Sequence, residues 1–318
     1  MRVVILDGAT MGADIDFSPI TSRFDTVIYD KTDPREKAQR VGDADVIVIN
    51  KVVIDRETID AAPGLKLVCV FAVGYNNIDV KYCREKGIRV RNVPGYCTDS
   101  VAQHTFALLF QLIESLNYYD GYVKDGSYTK SGLANHMGRP FSEIAGKRWG
   151  IIGMGNIGRR VAHIAKAFGC DVSYASASGV SRREDFPEVS MDELLTGSDI
   201  ISVHAPLSAA TENLINRAAL AKMKPSAVIV NVGRGAIIDS AALAEAIDLG
   251  VIGGAAIDVY PEEPPRADDP LLTLKNREKI VLSPHIAWSS VEARARCVQM
   301  TADNISAFIN GKDSNDVW

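Results

Sequence analysis

The sequence lacks the features that would make it a disulfide scaffold, a zinc domain, a membrane protein or a nucleic-acid binder. Its five cysteines, Cys69, Cys83, Cys97, Cys170 and Cys297, are odd in number and scattered, with no CxxC and no clustered histidine. That spacing reads as reduced thiols and leaves no candidate metal ligands. The longest apolar run, residues 67–74, is far below the ~18 residues of a membrane span. No block of like charge occurs, and a net charge of −5 argues against a nucleic-acid partner. There is no internal repeat and no low-complexity segment. The N-terminus reaches Asp7 after a few apolar residues, which reads as a first strand and not a signal peptide. A soluble, cytoplasmic protein is expected.

What is present is an alternating α/β pattern long enough for two domains: the chain has 318 residues, 47% of them hydrophobic. Apolar runs at 2–6, 25–29, 44–49, 65–72 and 88–93 read as buried strands, with helical stretches between them at 34–40 and 78–86. Continuous apolar strands alternating with helices predict a parallel sheet covered on both faces. Pro94-Gly95 breaks the chain. Asp99 or Ser100 can then cap a long helix through Val101, Thr105, Leu108, Leu109 and Leu112. Residues 120–144 read as irregular. A second series follows, with strands near 149–153, 171–174, 200–204, 227–232, 253–257 and 280–282. A last helix, 289–308, carries the stripe Val291, Ala295, Val298, Ala302, Ile305 and Phe308. Because the second series is complete without it, this helix is expected to return to the first domain.

The expected fold is therefore α/β with two doubly wound parallel-sheet domains. A flavodoxin-like substrate domain, 1–98 plus 288–318, is interrupted by an inserted Rossmann dinucleotide-binding domain, 99–287. The two crossings, near 94–100 and 285–290, would form a hinge beside a cleft.

The inserted domain's first strand is Trp149-Gly150-Ile151-Ile152-Gly153-Met154-Gly155-Asn156-Ile157-Gly158, an apolar strand running through GxGxxG into a helix. Gly153 permits the turn, Gly155 lets the backbone approach a pyrophosphate, and Gly158 lets helix and strand pack. The helix start, at Asn156 and Ile157, supplies N–H groups and partial positive charge for phosphates. An NAD site should place an acid about 20 residues on, at the end of the next strand. Here that position is Ala175, followed by Ser176, Ala177 and Ser178. Nothing there repels a 2′-phosphate, and Ser176, Ser178, Arg182 and Arg183 could bind one. The plainer reading of the two arginines is a solvated loop. The cofactor expected is NADP or NAD, with NADP favoured.

Three further segments follow strands: Asn231-Val232-Gly233-Arg234-Gly235, Asp258 through Pro265, and Ser283-Pro284-His285-Ile286-Ala287-Trp288. The C-terminal ends of such strands are where open α/β sheets bind ligands. Hydride transfer to a 2-keto acid needs a cation for the carboxylate and ketone, an acid for the forming alkoxide, and a partner for that acid. Arg, His and Glu are the residue types for those roles.

With these segments, and with Val73-Gly74-Tyr75-Asn76-Asn77-Ile78-Asp79, Val93 through Gln103 and His204-Ala205-Pro206-Leu207, the chain resembles the D-isomer-specific 2-hydroxyacid dehydrogenase family over nearly its whole length. Asn50-Lys51, Gln103-His104 and Pro284 through Trp288 resemble its glycerate dehydrogenase/hydroxypyruvate reductase branch. The resemblance implies His285 as proton donor, Glu263 as its partner and Arg234 as substrate clamp. Of the adjacent Glu262 and Glu263, family spacing selects the one before Pro264. The N–H groups around Val73 and Gly74 would take the substrate carboxylate, with Lys51 and Trp288 lining the pocket. Cofactor contacts would come from Thr98, Gly153, Gly155, Asn156, Ile157, Gly158, Ser176, His204, Pro206, Val232 and Asp258, the last holding the nicotinamide carboxamide. His204 and Trp288 read equally well as packing residues, and His104, His136 and His163 as structural. Tyr118, Tyr119 and Tyr122 read as interface or core. The family's two-fold dimer implies a homodimer in which Leu133, Met137 and Arg139 border the partner's pocket, the alternative being a surface loop.

The expected reaction is NAD(P)H-dependent reduction of a small 2-keto acid, such as hydroxypyruvate or glyoxylate, to the D-2-hydroxy acid. A reductase of a bulkier keto acid such as phenylpyruvate, or a non-catalytic dinucleotide sensor, are the rivals.

Overall fold

The structure is a computed structural model and describes residues 1–177 and 185–318. The chain divides into two compact units, Met1–Cys97 with Trp288–Trp318, and Thr98–Ala287. Both are α/β, and their paired strands all run parallel.

The first unit has five strands, β1 (Arg2–Ile5), β2 (Asp25–Ile28), β3 (Val46–Ile49), β4 (Leu67–Val70) and β5 (Arg89–Arg91), in the order β2-β1-β3-β4-β5. This is the flavodoxin-like order, whose switch point lies between β1 and β3. Register is fixed by pairs such as Val3↔Val46 and Ile47↔Val68. All four residues of β3 and of β4 are buried, because helices cover both faces of a parallel sheet. Val4, Leu6, Ile47, Ile49, Val68 and Val70 form the core with Ile54 and Val90; each such side chain contributes about 1.5–3 kcal/mol by leaving water.

The last helix, Val291–Ile309, belongs to this unit and packs on β4. Ser290 caps it by accepting from the Ala293 N–H. Its buried face is not quite the apolar stripe read from the sequence. Val298, Ala302 and Ile305 are buried, but Val291 is 58% exposed, while Thr301 and Asn304 lie inside. Burial of Asn304 follows from its partners: its amide donates to Asn92 O and accepts from Ser314 and Asn315. Periodicity scores side-chain polarity and does not see such partners.

Among its described residues the second unit has six strands, β6 (Arg148–Ile152), β7 (Asp171–Ala175), β8 (Ile200–Val203), β9 (Val228–Asn231), β10 (Gly254–Ile257) and β11 (Ile280–Leu282), in the order β11-β10-β9-β8-β6-β7. A lone parallel bridge, Tyr174↔Glu188, extends the sheet beyond β7. Counting it gives the dinucleotide-binding order 3-2-1-4-5-6 with one strand added. The sequence reading found the six strands and missed this edge, which is too short to carry a pattern.

The long helix runs over Thr98–Ile113, starting just before the expected caps. A separate helix, Leu116–Lys124, carries Tyr118, Tyr119 and Tyr122 and runs into the stretch 120–144 read as irregular, which also holds the helix Ser127–Ser131. No residue of either is buried. Trp149 anchors the unit: fully buried, it donates from Nε1 to Ser202 Oγ at 2.9 Å and packs on Phe106 at 4.9 Å between centroids.

Candidate active site

The glycine turn after β6 has the geometry of a phosphate cradle. Gly153 has φ +94°, and a Cβ there would lie 2.8 Å from the Ala205 N. A Cβ on Gly158 would lie 2.2 Å from the Gly153 O, which is why helix and strand can approach only with glycine at that position. At Gly155 a Cβ would meet nothing within 4 Å. The space beside it is open, and the helix Asn156–Ala167 starts there, so its first N–H groups point into that space without intrahelical acceptors. These residues fit a dinucleotide pyrophosphate. Ala175, the last residue of β7, is 1% exposed, and Ser176 follows it half-buried. Ser178, Arg182 and Arg183 lie outside the described residues.

His204 ends β8. Its Nε2 lies 3.0 Å from Ser202 Oγ, and its Nδ1 is buried with no hydrogen-bond partner among the described residues. Burial pushes this histidine down to about 3. A histidine held neutral in the fold but free to charge when unfolded lowers stability as pH falls below its ordinary value of 6.5. Between pH 7 and pH 5 the protein should therefore lose about 1–2 kcal/mol that a His204→Asn variant retains. Urea denaturation of both at the two pH values measures this; parallel losses would remove His204 as the cause.

Because β9, β10 and β11 are adjacent in the sheet, the loops after them lie side by side. Arg234 follows β9. Asn231 shapes its turn, its amide donating to Arg234 O at 3.0 Å and accepting from the Gly233 N–H at 3.0 Å. The Arg234 guanidinium donates to Gly233 O at 2.8 Å, leaving most of its donors for other acceptors. Glu263 follows β10 and His285 follows β11. Glu263 Oε2 lies 2.7 Å from His285 Nδ1, and its Oε1 accepts from the Tyr260 N–H at 3.2 Å. The pair is accessible, with 23% and 32% of the two side chains exposed. Asp258, at the end of β10, is fully buried. Its carboxylate accepts from Ser283 Oγ at 2.5 Å and from the N–H groups of Ile286 and Ala287 at 2.9 Å each. Against desolvation, those bonds and the nearby His104, whose Nε2 lies 3.6 Å from Oδ1, hold Asp258 below the usual carboxylate range. Val232 is buried, Pro206 is exposed, and Thr98 is the first residue of its helix.

In the first unit, Val73 is 41% exposed after β4, and its carbonyl accepts from Asn92 Nδ2 at 2.7 Å. The N–H groups of Val73 and Gly74 meet no protein acceptor among the described residues, which suits them to an anion. Lys51 is exposed beyond β3. Trp288 is half-buried, edge-on to Tyr96 at 6.4 Å. Sequence reasoning missed two residues here. Asp7, buried at the β1/β3 switch point, accepts from the N–H groups of Asn50, Lys51 and Val52 at 2.8, 2.6 and 3.0 Å. Asn77 donates to Asn50 O and Val52 O from the other side. Together they fix the turn that carries Lys51. The signal was a strand ending in Asp-Gly.

The segment after the long helix is tied to itself. His136 stacks on Tyr122 at 3.9 Å and lies 2.8 Å from Tyr118 Oη, Arg139 lies 4.4 Å over the Tyr118 ring, and Tyr119 donates to Arg139 O. Leu133 and Met137 are 63% and 84% exposed. All five cysteines are buried thiols. Among the described residues no helix is long and apolar enough to cross a membrane, and no cluster could hold a metal ion.

A cradle for a dinucleotide and an Arg, Glu–His set on the same sheet edge define an oxidoreductase of the nicotinamide-dependent kind. The chain belongs to the D-isomer-specific 2-hydroxyacid dehydrogenase family: residues 106–287 match the family model for its NAD-binding domain. It is 35% identical to a hydroxypyruvate reductase of Blautia hydrogenotrophica over 323 residues, covering 100% of this chain and 99% of that one. It is 39% identical to a glyoxylate reductase of Korarchaeum cryptofilum over 306 residues, covering 93% and 90%. Among solved structures, an NADPH-dependent glyoxylate/hydroxypyruvate reductase of Sinorhizobium meliloti in complex with citrate matches with a TM-score of 0.85 and 28% identity, covering 99% and 97%.

Proposed function

We propose that this protein reduces a small 2-keto acid of the hydroxypyruvate or glyoxylate class to the corresponding D-2-hydroxy acid. The observation that carries this reading is the 2.7 Å His285–Glu263 pair on the sheet edge it shares with Arg234. The names of the relatives support the substrate class. When bound, the reduced nicotinamide supplies the hydride for C2. Arg234 holds the substrate and stabilises charge developing on the keto oxygen. His285 donates its Nε2 proton to that oxygen, while Glu263 fixes the ring through Nδ1 and balances its positive charge. The same reading assigns the substrate carboxylate to the N–H groups of Val73 and Gly74 and places Lys51 and Trp288 at the substrate. Thr98, His204, Pro206, Val232 and Asp258 remain cofactor contacts in this reading.

NADPH is the cofactor this reading favours, on the absence of an acid at Ala175 and by likeness to the NADPH-dependent neighbour. An Ala175→Asp variant should raise the KM for NADPH relative to NADH by about tenfold or more, since like charges at close range repel. An unchanged cofactor ratio would mean that the 2′-phosphate is read elsewhere. We also read the protein as a homodimer, in keeping with the exposed Leu133 and Met137; sedimentation at micromolar concentration distinguishes dimer from monomer.

The test of the reaction is initial rates with hydroxypyruvate, glyoxylate, pyruvate and phenylpyruvate, each with NADPH and NADH. Turnover concentrated on hydroxypyruvate or glyoxylate supports the proposal. Selective turnover of phenylpyruvate, or no turnover, would overturn the substrate class.

A further inference from the structure

The loop that carries His285 is held in a backbone conformation that residues with a side chain rarely adopt. His285 has φ +55°, which is unfavourable for any L-residue unless its surroundings impose it. Asp258 supplies three of the contacts that hold it. The His285 N–H donates to the Asp258 carbonyl at 2.7 Å, the Ile286 N–H to Asp258 Oδ1 at 2.9 Å, and the Ala287 N–H to Asp258 Oδ2 at 2.9 Å. Three consecutive amides thus converge on Asp258, which is fully buried.

Asp258 is in turn held by Ser283 and His104. The Ser283 hydroxyl donates to Asp258 Oδ1 at 2.5 Å. That uses its single proton, so its 3.1 Å contact with His104 Nε2 has the histidine as donor. His104 Nε2 also lies 3.6 Å from Asp258 Oδ1. A histidine, a serine and an aspartate in sequence resemble a nucleophilic set, but here the polarity is reversed. The serine proton points at the carboxylate and the histidine donates to the serine, so Ser283 is not activated for attack. The helix that carries His104 closes the loop from its other end, where Ser100 Oγ donates to Ala287 O at 2.7 Å.

We infer that His104 is a positioning residue for the reaction: acting through Ser283 and Asp258, it fixes residues 285–287 so that the His285 ring stays aligned. This rests on the reading of His285 as proton donor. It gives His104 a role that packing alone does not require, and gives Asp258 a task independent of any contact with the nicotinamide.

The test uses His104→Leu, His104→Gln, Ser283→Ala and the His104→Leu/Ser283→Ala double variant of the whole protein. Amide hydrogen exchange over residues 284–288 is measured together with kcat, KM and Tm. Loss of the clamp in His104→Leu should speed exchange at Ile286 and Ala287 by about tenfold. It should also lower kcat by about 10–100-fold, the scale expected of a small misplacement, at unchanged KM for the cofactor. His104→Gln, whose side-chain N–H can still reach Ser283, should recover most of both. The double variant should be no worse than the worse single one, as for two members of one chain. Unchanged exchange in His104→Leu, or losses that simply add, would overturn the inference. Lack of keto-acid turnover in the unmodified protein would instead sink the proposed reaction, and the exchange measurement would still decide whether the clamp exists.

Discussion

Replacing His285 by alanine is expected to lower kcat for keto-acid reduction by about 10²–10⁴-fold, the usual contribution of a positioned general acid. The expectation follows from how the ring is held. Nδ1 is 2.7 Å from Glu263 Oε2, and the proposed reaction assigns proton donation to Nε2. Glu263 is itself fixed by the Tyr260 N–H, and the loop of His285 is clamped by Asp258. The imidazole is thus oriented at both ends before any substrate binds. The variant should still bind NAD(P)H, because the phosphate cradle at Gly153, Gly155 and Gly158 lies on the loop after a different strand. Cofactor binding followed by fluorescence, beside steady-state rates, separates the two. Near-normal turnover in His285→Ala would mean that the proton comes from another group or from water.

The second large effect is expected at Arg234. Removing a preorganised donor to a developing oxyanion typically costs about 10²–10³ in rate, and Arg234→Ala should lower kcat/KM for the keto acid by that order. Arg234→Lys should restore only part of it, because an ammonium cannot offer the planar fork that engages a carboxylate and a ketone oxygen together. The turn itself should survive both changes. Asn231 shapes it through the backbone of Gly233 and Arg234, not through the guanidinium. Full activity in Arg234→Ala would remove the arginine from the site and leave the acid pair without a substrate clamp.

Much of the architecture was legible because parallel strands buried on both faces are written as unbroken apolar runs. Val46–Ile49 and Val228–Asn231 are examples, and each lies inside a predicted strand. The glycine turn was legible for a related reason: Gly153 and Gly158 sit where a Cβ would strike backbone atoms, so the residue type itself reports the geometry. The helix Ser127–Ser131 was not legible, since none of its residues is buried; Tyr118, Tyr119 and Tyr122 were read as helical, but the end of their helix, Leu116–Lys124, was read as irregular. The edge bridge at Glu188 was missed because one paired residue has no period. Asn304 was missed because its burial depends on Asn92, Ser314 and Asn315, none of them within one helical turn of it.

Candidate site residues divide in the same way. Arg234, Glu263 and His285 were found from residue type, strand-end position and family likeness. His104, Ser283, Asp7 and Asn77 gave no comparable signal, since their importance lies in which atoms they meet. His104 and Asp258 are 154 positions apart in the chain, yet one hydroxyl joins them. The sequence alone determined the α/β class, the strand series and the chemical groups at the strand ends, because these depend on local pattern and composition. The tertiary structure decided which nitrogen of His285 faces Glu263 and which residues hold its loop, because hydrogen bonds between distant segments depend on packing that no local pattern encodes.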